Sequence, residues 1–231
     1  MDVVFDVTDL PPAPRRPMQR PGPAGGKRDR NRRERTRALL ESALALFLER
    51  GLEAVPIDEI ASRAGMAKGN FYRYFPNKEA LVETLMAPLA TAVREALQRT
   101  EEELRQTTTQ EEMLAVYERL ASSVVPTLLR QLGPLQLYLQ ERRGPASGAR
   151  VAIRQLADEL YERSVRLTEV ARAHGLIEVG DPRISALAVV GACEELALGA
   201  LQGRLDPVDP DEVSRTLIRL VVQGLRAGQT N

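Results

Sequence analysis

From Arg32 onward, apolar residues return every three or four positions, and no stretch alternates apolar and polar residue by residue. The first spacing lines one face of a helix; one-by-one alternation would line a face of a strand. Its absence restricts the chain to an all-α fold. Leu39, Leu40, Ala43, Leu46 and Phe47 form the first apolar stripe, and Gly51 stops it. Residues 1–31, rich in Pro, Arg and Gly, lack the apolar surface to offset ordering entropy and are expected to form a disordered arm.

Helix punctuation divides the rest. Pro56 suits the first turn of a second, short helix with Ile57, Ile60, Ala61 and Ala64 inward. Gly65 interrupts, and a third short segment, Lys68 to Tyr74, precedes Pro76. Two short helices joined by a glycine-containing turn outline a helix-turn-helix. Asn77 then caps a long helix to about Arg105, which Pro88 should kink. Thr109 and Glu112 form a capping box for a helix that Pro126 ends or bends. Leu128 to Arg142 is helical but kinked or divided near Gly133–Pro134. A loop at Gly144, Pro145 and Gly148 follows, with Ser147 starting a helix to about His174. Asp181–Pro182 and Asp209–Pro210 each place a capping carboxylate before a first-turn proline, and the final helix runs to about Arg226.

Several function classes drop out on composition. Cys193 is the one cysteine and His174 the one histidine, so a disulfide framework, a zinc centre or a His-based triad has no residues to build it. Both are expected to serve packing or a helix end, and no metal or cofactor is expected. No phosphate loop or nucleophile–base pattern points to an enzyme. The N-terminus has no apolar stretch resembling a signal peptide, and the apolar run Ile184 to Cys193 is far short of a membrane span. These readings point to a cytoplasmic protein with no membrane partner.

The net charge of zero, from 32 basic and 32 acidic residues, argues in bulk against a nucleic-acid partner. The distribution of those charges points the other way. Residues 1–14 carry −3, residues 15–78 carry 15 bases against 7 acids (+8), and residues 79–231 carry 17 against 22 (−5). A basic block therefore coincides with the helix-turn-helix outline, and an acidic remainder favours approach to a duplex by that end. Within the block, residues 27–37 hold seven bases and two acids. Such an arm can follow phosphates, lie in a minor groove or simply solubilise the chain.

Residues 35–82 read RTRALLESALALFLERGLEAVPIDEIASRAGMAKGNFYRYFPNKEALV. The first helix with its LFxxxG ending, the DEIAxxAG second helix and the KGxFYxYFxxKEAL third-to-fourth helix signature resemble the DNA-binding domain of the TetR/AcrR family of transcriptional regulators. The likeness covers about a fifth of the chain. It implies an N-terminal three-helix DNA-binding domain (residues 32–77) and a helical effector-binding and dimerisation domain (78–231). It also implies a homodimer through a four-helix bundle of the last two helices. Their small residues, Ala186, Ala188, Gly191, Ala192, Ala197, Gly199 and Ala200, and the Leu217, Leu220, Val221 and Leu225 stripe suit such a contact. The function implied is a repressor that binds a palindromic operator in double-stranded DNA and is released by a small molecule. An activator, or a regulator answering to a protein partner, remains open.

The residues themselves supply a chemistry. A helix entering the major groove needs small residues at its start, and Ala67 and Gly69 meet that need. Lys68 can reach guanine O6/N7 or a phosphate, and Asn70 can pair with adenine. Phe71 and Phe75 share an inward face with Phe47, Ile60 and Leu81, while Tyr72 and Arg73 project oppositely and Tyr74 sits at the rim. The resemblance assigns Tyr72 to bases or sugar–phosphate and Tyr74 to a phosphate. Lys78, with its helix's free N–H groups, and Arg35 and Arg37 complete the expected DNA contacts. Ala67 and Val55–Pro56 stand where the family commonly has Ser or Thr, which removes two anchoring hydroxyls.

Residues 79–231 contain no Phe and no Trp, and Tyr117, Tyr138 and Tyr161 are their only aromatics. An effector pocket there would be aliphatic, suiting a hydrophobic ligand over a stacked planar one. Met113, Tyr117, Leu120, Tyr138 and Tyr161 are its expected lining. Glu194 and Glu195 could meet a cation, a helix surface or a dimer salt bridge.

Overall fold

The computed structural model describes residues 26–205 and 209–224. The expected disorder of residues 1–25, the −3 tip, Leu225 and Arg226 lie outside the described residues. Among those described, every regular element is helical: α1 (Lys27–Arg50), α2 (Ile57–Arg63), α3 (Lys68–Phe71), α4 (Lys78–Leu104), α5 (Gln110–Arg130), α6 (Leu132–Glu141), α7 (Val151–Ala173), α8 (Pro182–Leu201) and α9 (Pro210–Gly224), with a 3-10 turn at Gly148–Arg150. The helix starts follow local side-chain chemistry. Asn77 Oδ1 accepts from Ala80 N–H at 2.8 Å, and Asp181 Oδ1 from Arg183 N–H at 2.9 Å. Thr109 Oγ1 accepts from Glu112 N–H while Glu112 Oε2 accepts from the N–H groups of Thr108 and Thr109, the reciprocal pattern expected of a capping box. Those donors hold the Glu112 carboxyl below its ordinary pKa.

Three boundaries differ from the sequence reading. First, α1 begins at Lys27, so residues 27–31 extend the helix and are not part of a disordered arm. The arginines there are good helix formers once a helix exists to be prolonged. Second, the division expected at Gly133–Pro134 falls at Gln131, and Pro134 sits in the first turn of α6. A proline needs no N–H partner there, so the break moves ahead of it. Third, α5 continues through Pro126.

The chain divides into two compact units. One falls within residues 1–89 and 130–155, the other within 90–129 and 156–231. The first unit has a dry core of Leu39, Leu40, Ala43, Phe47, Leu52, Val55, Ile60, Phe71, Phe75, Leu81 and Leu85, all without solvent exposure. In it, α1 packs on both α2 and α6. The second unit centres on Leu97, Leu104, Met113, Val116, Leu167, Ala171, Leu176 and Ile177. There Glu159 joins Arg94 (2.8 Å) and Arg163 (2.9 Å), and α8 packs on α9.

In α8 the apolar stretch exceeds the run the sequence suggested. The helix continues through Glu194 and Glu195 to Leu201, with a mean hydropathy of 1.7 over its 18-residue window. By length and composition alone it is long and apolar enough to cross a membrane, although the apolar run Ile184 to Cys193 is short. An uninterrupted apolar run underrates a helix whose two acids sit in a long apolar context. Glu194 is buried and Glu195 is exposed and pairs with Arg204 at 3.5 Å. Only 17% of that window is buried, and Ile184 and Leu187 are 68% and 61% exposed.

Candidate nucleic-acid interface

In the first unit, α2, the Ala64–Ala67 turn and α3 make the helix-turn-helix. Gly65 takes φ +67°, and Met66 N–H reaches back to Ala61 O (2.8 Å) while Gly65 N–H reaches Ser62 O (3.0 Å). This closure of a helix end needs a left-handed residue, which glycine adopts without a Cβ penalty. Ala67, at the N-cap of α3, makes no side-chain cap, as its missing hydroxyl implies. The α-helix is shorter than the expected Lys68–Tyr74 segment. Its bonding tightens at once to three-residue closures, Asn70 O to Arg73 N–H and Phe71 O to Tyr74 N–H.

Phe71 and Phe75 are fully buried, their ring centroids 5.8 Å apart, and anchor this segment to the core. The residues between and before them face outward. Lys68, Asn70 and Arg73 are exposed, and Tyr72 and Tyr74 are half-exposed, Tyr72 meeting the Phe71 ring edge-on at 5.5 Å. A Cβ on Gly69 would meet nothing within 4 Å, so the fold itself does not demand glycine there.

Lys68 is not an isolated cation. Its ammonium lies 2.8 Å from Asp58 Oδ1, and this hydrogen-bonded carboxylate raises its pKa. Both partners are more than half exposed, so solvent screens the pair and it is easily exchanged for another anion. Asp58 is absent from the sequence-derived set, because no local spacing relates residues ten apart on two different helices. Arg35 and Arg37 are exposed on α1, with Arg37 held at 2.7 Å by Glu41.

Lys78 opens α4, as its sequence context suggests, but its ammonium is engaged within the fold. Its half-buried ammonium donates to Leu52 O (2.7 Å) and Val55 O (3.2 Å) in the loop joining α1 to α2. Two of its three donors are thus used inside the fold. The same loop is gripped a second way: Glu141 Oε1 on α6 accepts from Leu52 N–H at 2.9 Å, and Glu141 Oε2 accepts from Arg150 Nε at 2.7 Å. Gly51 turns with φ +80°, where a Cβ would come within 3.2 Å of that carboxylate. Glu141 and Arg150 carry no sequence signal for this role, since Leu52 lies 89 residues from Glu141.

The expected effector residues are divided between the two units. Met113 is fully buried in the second unit's core, and Tyr117 and Leu120 pack against that cluster. Burial pushes the Tyr117 hydroxyl pKa up to about 12. Tyr161, half-buried, is on α7, and Tyr138 is buried in the first unit. A surface groove of about 530 Å³ in the second unit is lined by other residues, among them Glu169, Arg172, Asp181 and Arg183.

Comparison with known proteins bears on this architecture. Residues 39–85 match the family described as bacterial regulatory proteins, tetR family. The HTH-type transcriptional activator FasR of Mycolicibacterium smegmatis is 40% identical over 85 residues, 34% of this chain and 39% of that protein. The HTH-type transcriptional repressor KstR2 of Mycobacterium tuberculosis is 46% identical over 48 residues, 21% and 24% of the two chains. The chain spans 19% to 39% of the first such relatives. Among solved structures, a putative fatty acid metabolism regulator from Clostridium perfringens superposes with a TM-score of 0.65 at 20% identity, over 82% of this chain and 99% of that one. The transcriptional regulator FadR from Bacillus subtilis, in complex with stearoyl-CoA, gives 0.59 at 21% identity over 82% and 99%. At these identities the structural likeness is one of fold. The named relatives FasR and KstR2 are transcriptional regulators. Motif, buried aromatic backing and relatives agree: residues 39–85 form a DNA-binding domain of the tetR family of bacterial regulatory proteins.

Proposed function

We propose that this chain is a ligand-responsive repressor that binds a palindromic operator as a homodimer. Residues 32–77, with Lys78 just beyond them, carry the DNA contacts, and residues 78–231 carry effector binding and dimerisation. The observation that carries the reading is the outward cluster Lys68, Asn70, Tyr72, Arg73 and Tyr74 on a segment pinned from behind by buried Phe71 and Phe75. The open space at Gly69 supports it, because a small residue at a helix start lets a base edge approach. Lys68 exchanges Asp58 for a guanine edge or phosphate, Asn70 reads a base, and the tyrosine hydroxyls, Arg35, Arg37 and the remaining Lys78 donor hold phosphates.

The apolar exterior of α8 supports a second copy as its cover, and two-fold pairing is what matches a palindromic site. The effector is assigned to the second unit, where Met113, Tyr117 and Leu120 offer an aliphatic setting with one polar tip. A long-chain acyl compound fits that chemistry, and the Bacillus subtilis FadR structure holds stearoyl-CoA. The effector selects a conformer whose recognition helices are wrongly spaced for the operator, so ligand and DNA affinities are reciprocally coupled. The test is recovery of genomic DNA bound by the purified protein, then gel-shift titration with Lys68→Ala and Tyr72→Ala. Each variant should lose about tenfold or more in operator affinity. Wild-type affinity with wild-type salt dependence would refute the assigned face.

A further inference from the structure

The first turns of α1 stand clear of the core. No residue from Lys27 to Arg35 is buried, and Thr36 is the first that is. At 1.5 Å per residue these positions form a rod of ~14 Å. Residues 27–37 carry seven bases against two acids. Arg33 is paired with Asp29 (3.2 Å) and Arg37 with Glu41 (2.7 Å), whereas Arg28, Arg30 and Arg35 are exposed with no ion pair among the described residues. At 3.6 residues per turn, Arg28, Arg32 and Arg35 share one sector of roughly 60°, and Arg30, Arg33 and Arg37 share another on the far side. The first turn also places Lys27, Arg28 and Arg30 at the positive end of the helix dipole, behind a Gly26 that supplies no side-chain cap. Such a helix gains from polyanions laid along it.

We infer that this rod is a second DNA-binding element that lies along the phosphate backbone beyond the recognition segment and supplies affinity without sequence choice. The inference rests on the functional reading above. Width decides the placement. A helix with side chains is about 10–12 Å across, and the minor groove is about 6 Å wide, so a helical arm does not enter it as an extended arm would. Two opposed arginine ridges suit phosphates, which line a duplex regularly whatever its sequence. The rod is the start of α1, which packs on α2 of the helix-turn-helix, so its cations keep a fixed relation to α3.

The test uses the full chain, an operator fragment recovered from the genome, and random duplexes of the same length, one A·T-rich and one G·C-rich. Arg28→Gln/Arg30→Gln/Arg35→Gln should weaken binding to all three by the same factor. It should also flatten the slope of log K against log salt by about 2–3 per chain, leaving the operator-to-random ratio unchanged. Asn31→Pro keeps every charge but interrupts the helix at an exposed position, and should also weaken all three duplexes. Melting temperatures close to wild type would show both variants folded. Wild-type affinity and slope in the triple variant would overturn the inference, and the phosphate contact proposed for Arg35 with it, while leaving the Lys68 to Tyr74 face standing. A loss confined to the A·T-rich duplex would overturn it in favour of a minor-groove arm, and an unaffected Asn31→Pro in favour of a flexible one. A wild-type chain that binds no duplex at any salt would overturn the functional reading, and this inference with it.

Discussion

Glu141 is the residue whose removal should most clearly expose how the first unit is held together. Its carboxylate, 7% exposed, serves Leu52 N–H through one oxygen and Arg150 through the other. Glu141→Ala leaves a buried N–H without an acceptor, at a cost of about 1–3 kcal/mol. It also strips the partner from a guanidinium only 14% exposed, and breaking a buried pair from one side costs about 3–5 kcal/mol. One carboxylate serves both, and Arg150 keeps Glu53 at 3.9 Å, so the losses do not sum. The expected destabilisation is about 3 kcal/mol. Glu141→Gln keeps an acceptor for Leu52 and loses only the charge, so about 1–2 kcal/mol is expected. In Glu141→Ala/Arg150→Ala the stranded charge is gone, and the double variant should be no less stable than Glu141→Ala alone. Urea unfolding at fixed protein concentration and pH 7 measures all three. A cost below about 1 kcal/mol for the alanine variant, or a glutamine variant as unstable as it, would refute the reasoning.

Three further outcomes are expected. Ile184→Glu/Leu187→Glu places charges on the exposed apolar side of α8, and sedimentation should show monomer where the wild type is dimer; a wild type already monomeric at micromolar concentration would remove the proposed assembly. The Arg94 guanidinium, with Arg163 beside it, holds the Glu159 carboxyl down to about 2 from an ordinary 4.5. That contribution is full above pH 4.5 and is lost as pH falls through about 2, so Glu159→Gln should flatten the acid side of the stability–pH curve, and parallel melting curves at pH 5, 3 and 2 would contradict it. Tyr117 has its pKa raised from 10.0 to about 12 by burial, so the unfolded chain ionises first and stability falls across that interval. Tyr117→Phe should lose less stability than the wild type between pH 10 and 12, and an identical alkaline decline would show the hydroxyl to be solvated.

What was legible in the sequence depended on distance along the chain. The caps at Asn77, at Thr109 with Glu112, and at Asp181 with Pro182 each involve groups two or three residues apart, and all three form as expected. The inward faces of α1 and α3 follow the same logic, because helical period alone sets which of Leu39, Phe47, Phe71 and Phe75 point together. Breaks were less legible where a proline could be absorbed in a first turn, as at Pro134.

By itself, then, the sequence determined an all-helical chain, the position of the helix-turn-helix, the segregation of its charges and the outward order of Lys68 to Tyr74. Only the tertiary structure decided that Asp58 answers Lys68, that Lys78 and Glu141 grip one loop from two sides, that α1 begins at Lys27, and that residues 130–155 belong with the N-terminal unit. It also showed that Tyr138 belongs to a different unit from Met113, Tyr117 and Leu120. The physical reason is the same in each case. Helical period and capping are local and act within a few residues, whereas a buried carboxylate finds its donors wherever packing brings them, here across 89 positions that no spacing rule connects.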